Sequence, residues 1–98
     1  MRPTAKGDDM PIISMFYGII VYMYALDNRQ HHQAHIHVEY QGAEAVIAIP
    51  SGEILAGEMP TNKMKLLQAW IEIHHEELLA DWAIAIKGGE IFRIEPLH

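Results

Sequence analysis

With 98 residues, half of them hydrophobic, the chain has material for one packed core and too little for two. The absence of cysteine excludes disulfide frameworks, thiolate metal sites and cysteine nucleophiles, and it fits a reducing cytoplasm. A formal charge of −6, with no cluster of Lys or Arg, argues against duplex nucleic acid and a polybasic membrane contact as partners.

Residues 1–9 are polar, carry Pro3 and Gly7 and show no apolar periodicity. They are expected to form a flexible extension ahead of a single α+β domain over residues 10–98. The run from Pro11 to Leu26 has no charge, yet it falls short of the roughly 18–20 residues a spanning helix needs. Asp8 and Asp9 precede it where a signal peptide would carry positive charge, and Asp27 follows it without a small-residue cleavage pattern. Its β-branched and aromatic residues suit a strand, with Gly18 marking a bend or bulge.

Residues 27–33 are polar and irregular and read as a loop. From His35 to Gln41 the pattern alternates. Ile36, Val38 and Tyr40 are expected to face inward, and His35, His37 and Glu39 outward. Gln41-Gly42 predicts a hairpin turn into a strand over 44–49, because glycine supplies the positive φ that such turns require. Pro50-Ser51-Gly52 is a second turn signal, followed by a short strand over 53–56 and by the breakers Gly57 and Pro60.

Beyond Thr61 the period changes. Met64, Leu67, Trp70, Ile71, His74, Leu78, Trp82 and Ala85 recur at helical spacing, with Thr61 as N-cap and Gly88 as stop. Leu66, Ile73, Leu79 and Ile86 fall off that stripe, so the helix is expected to touch a second surface, through self-association or a curved sheet. Trp70 and Trp82 read as core anchors, and His74 as a hydrogen-bonded core residue. The segment 90–94 reads as a short final strand or an extended tail. The fold class is therefore α+β: a small antiparallel meander of about four strands packed against one long C-terminal amphipathic helix.

The residues with chemical potential are His31, His32, His35 and His37, together with Glu39. Two residues apart on a strand, His35 and His37 project to one side; Glu39 adds a carboxylate, and His31 or His32 can fold back from the loop. Such a set suits a divalent metal, Zn or Ni, or general acid and base catalysis by paired imidazoles. The same pattern also describes a solvated polar face with no chemistry. A phosphodiester-cleaving site would need a cation, for which Arg29, Lys63 and Arg93 are the candidates. No glycine-rich phosphate loop, nucleophile elbow or His-Glu-x-x-His pattern is present.

The stretches Met10-Pro11-Ile12-Ile13-Ser14, Phe16-Tyr17-Gly18-Ile19 and His35-Ile36-His37-Val38-Glu39 resemble the small bacterial domain-of-unknown-function family 4160. Ser51-Gly52-Glu53, Ala69-Trp70, Glu77-Leu78-Leu79 and Ile94-Glu95-Pro96-Leu97 extend the resemblance from Met10 to His98. Relatives carry one or two prolines where this chain has Gln33-Ala34. The resemblance implies a bacterial protein, and relatives encoded beside a second small family imply paired modules of toxin–antitoxin type. Two functions follow as expectations. The first is a protein-binding or regulatory module that pairs with another small protein or with itself. The second is a small metal- or histidine-dependent hydrolase or ribonuclease built on His35, His37 and Glu39.

Overall fold

The computed structural model describes residues 11–25 and 33–98. The expected extension over residues 1–9 lies outside the described residues, as do His31 and His32.

The apolar run that reads as one bent strand is a hairpin. Strand β1 (Ile12–Phe16) turns at Tyr17-Gly18 into β2 (Ile19–Tyr22), with Phe16 paired to Ile19. Tyr17 and Gly18 both take positive φ, 50° and 81°. Positive φ at both central residues defines the tight turn whose twist matches that of a strand pair. Gly18 is thus a turn residue rather than a bulge, and the sheet has five strands where four were expected. The register shift in this hairpin falls instead between Ile12 and Ser14, and it leaves Ile13 and Ser14 both buried.

Strands β3 (His35–Tyr40) and β4 (Ala43–Ala48) form the hairpin expected at Gln41-Gly42, and β5 (Ile54–Gly57) follows the turn after the cis Ile49–Pro50 bond. All neighbours are antiparallel in the order β1-β2-β3-β4-β5, a simple meander.

One helix, α1 (Thr61–Ala85), covers one face of the sheet. Met64, Leu67, Trp70, Ile71 and Leu78 join Val21, Ile36, Val38, Ala45 and Ile47 in a single buried cluster, with the Phe16 and Trp70 rings 5.1 Å apart. Pro60, not Thr61, holds the N-cap position, and Thr61 is the first helical residue. At the other end Gly88 and Gly89 donate to the carbonyls of Ala85 and Ile84, which closes the helix as the glycine pattern predicts. His74 breaks the helical dihedrals (φ −114°, ψ 22°) and marks a kink.

Ile73, Leu79 and Ile86 remain exposed, so no curved sheet wraps the far side of α1. Residues 90–98 form no strand; they run as a tail alongside β1. Ile94 is buried and its N–H donates to the Ile13 carbonyl at 2.8 Å, while the Trp70 indole donates to the Glu95 carbonyl at 2.8 Å.

Candidate functional site

The strand period places the two sides of β3 as the alternation requires, with Ile36 and Val38 beneath α1. The opposite face is less open than expected. His35 is fully buried instead of facing solvent, and the Trp82 ring, from the second half of α1, lies 4.8 Å from the imidazole. Its Nδ1–H is fixed on the Gln33 carbonyl at 2.8 Å. His37 stands beside it, edge to face, with ring centroids 5.1 Å apart.

From His37 outward this face forms a cleft of about 220 Å³, lined by Tyr22, Tyr24, His37, Glu39, Glu44 and Val46, with Ala56 and Gly57 forming its β5 side. The antiparallel register explains this company: Tyr22 pairs with His37, His37 with Val46, and Glu39 with Glu44. The Tyr24 ring stacks on His37 at 4.1 Å, and its hydroxyl lies 3.3 Å from His37 Nδ1. The Tyr22 hydroxyl donates to Glu39 Oε1 at 3.1 Å. Burial, then the hydrogen bond to Glu39 and the charges of Glu39 and Glu44, push the Tyr22 phenol above its usual range. It therefore remains a donor at any physiological pH.

Of the expected ligand set, the fold brings His35 and His37 side by side, whereas Glu39 is engaged by Tyr22. Among the described residues no three His, Asp or Glu side chains are arranged to hold a metal ion. His74 is hydrogen-bonded to Glu77 at the kink with its ring 5.8 Å from that of the buried Trp70, and His75 bonds to the Glu72 carbonyl.

Three cleft residues escape a reading of the sequence: Tyr22, Tyr24 and Glu44. The signal was the shared parity of Ile20, Tyr22 and Tyr24, which becomes informative only once the Tyr17-Gly18 reversal fixes which strand they belong to.

Among the described residues these features define a small α+β protein, a five-stranded meander backed by one helix, with an aromatic and acidic cleft on the side of the sheet opposite the α1 core. No described helix is long and apolar enough to cross a membrane. The chain belongs to the family described as Domain of unknown function (DUF4160), whose profile matches residues 18–83. That span takes in β2 to β5 and most of α1. Comparison with curated proteins and with solved structures returned no match.

Proposed function

We propose that the chain is a protein-binding, regulatory module that works paired with another small protein, and that the cleft formed by Tyr22, Tyr24, His37 and Glu39 receives the partner. The observation that supports this most is the cleft itself, where aromatic rings and two carboxylates stand together beside His37. Aromatic side chains are enriched at the centres of protein interfaces because they bring large area at small entropic cost. Tyr22 on Glu39 and Tyr24 on His37 hold one another in place, so less ordering is required when a partner arrives. The reading includes an arrangement of toxin–antitoxin type, in which module and partner are encoded together.

A photoreactive residue at Val46, inside the cleft, tests it against one at Ala80, exposed on α1. The same partner should be captured in the native host from position 46 and not from 80, and Tyr24→Ala should reduce that capture on the order of tenfold. Capture only from position 80, or none from either, overturns the proposal.

A further inference from the structure

The two edges of the sheet are treated differently. The outer side of β1 carries the tail, through the Ile94 N–H on Ile13. The outer side of β5 has no neighbouring strand among the described residues. An edge strand presents unpaired main-chain donors and acceptors, and natural edges are commonly protected by Lys, Pro or a covering segment. β5 is short, four residues, and its register against β4 shifts at Leu55, but it reads Ile-Leu-Ala-Gly, with neither Lys nor Pro, and Ile54 is 41% exposed.

Charge decides what such an edge accepts. Glu53 and Glu58 flank β5, and both are exposed. If two copies paired antiparallel about Leu55 and Ala56, Glu53 of each would stand opposite Glu58 of the other. Like charges directly opposite across a ladder destabilise it, and a net charge of −6 on each copy adds to the repulsion. A second copy is therefore a poor occupant, and a strand with basic residues at those same flanking positions is a good one. Ala56 and Gly57 also wall the cleft, so a strand about 5 Å beyond β5 lies along its mouth.

We infer that β5 is a docking edge that takes an extended, basic segment of the partner by main-chain pairing. This rests on the module reading and names how the partner attaches. Strand addition draws affinity from main-chain hydrogen bonds and specificity from alternate side chains.

The test titrates two short synthetic peptides, Lys-Thr-Val-Thr-Val-Lys and Glu-Thr-Val-Thr-Val-Glu, whose charges stand five residues apart like Glu53 and Glu58, into the full chain while its backbone amide resonances are followed. The Lys peptide should shift and protect amides of residues 53–58, bind on the order of tenfold more tightly than the Glu peptide, and weaken as salt is raised. The double variant Glu53→Lys/Glu58→Lys, which alters only exposed side chains, should reverse the preference. Binding of neither peptide, equal binding of both, an unreversed preference, or shifts confined to α1 would each overturn the inference. Capture from position 46 alongside any of these results leaves the module reading standing and removes β5 as its attachment point. Loss of that capture removes both.

Discussion

Asp81 sits on the α1 face turned toward the core and is only 3% exposed. Its Oδ1 accepts the Phe92 N–H at 3.0 Å, and Oδ2 is buried with no hydrogen-bond partner among the described residues. Burial raises the carboxyl above its ordinary 3.8; the Phe92 hydrogen bond opposes that rise and the nearby charge of Glu77 adds to it. A carboxyl that holds its proton more tightly when folded contributes stability that is complete below about 3.8 and is lost as pH climbs through the raised folded value. Asp81→Asn keeps the acceptor for Phe92 and removes the buried charge. In urea melts across pH, the variant should gain on the wild type as pH rises above about 4, and at neutral pH it should lie within about 1 kcal/mol of wild type or above it. Parallel stability curves at all pH values would refute this account. The position is legible in the sequence, since Asp81 falls inside the stripe between Leu78 and Trp82, but its charge conceals its role. His35 shows a different limit: alternation along β3 is a local property, whereas burial depends on neighbours such as Trp82 that only the tertiary fold brings near.

The turns show what local pattern reveals about whole elements. Gln41-Gly42 is readable because the polar alternation from His35 to Tyr40 marks the strand before it and the glycine marks the turn. Tyr17-Gly18 is hidden because the flanking residues carry no charge and show no polar alternation, and tyrosine rarely takes φ of 50°. The close of α1 at Gly88 follows from glycine chemistry, and its start shifts by one residue because Pro60 takes the cap. Gly57 carries a sharper demand. Its φ is +77°, and a Cβ there would lie 2.2 Å from the Glu44 carbonyl oxygen, a backbone atom already receiving the Glu58 N–H. Neither strain nor clash can be relieved by moving a side chain. Gly57→Ala should therefore lower stability by roughly 1–3 kcal/mol and open the β4–β5 ladder first. Thermal unfolding with amide exchange at 54–57 measures both, and an unchanged melting temperature would show that β5 is not held this tightly.

On the scale of the molecule, the meander must finish at two edges, and the chain ends them by different physics. At β5 the guard is electrostatic, two carboxylates that repel a second copy while leaving the backbone available. At β1 the guard is the tail: Ile94 fills the core, Trp70 and Asp81 hold the backbone of residues 95 and 92, and the Ile13 carbonyl is satisfied. β1 itself, Ile-Ile-Ser-Met-Phe, has no charge to repel anything. Deleting residues 90–98 should thus expose an uncharged apolar edge and leave the buried Trp70 indole without its acceptor, so the shortened chain should self-associate more than the full chain. Light scattering after size exclusion reads this directly. Ile94→Ala separates the two contributions of the tail, because it removes side-chain packing worth about 2–5 kcal/mol while the main chain still covers β1. It should lower the melting temperature without raising the mass. If the shortened chain keeps the mass of a single copy while Ile94→Ala associates, the edge is protected by packing rather than by the strand-like tail, and the distinction drawn between β1 and β5 fails.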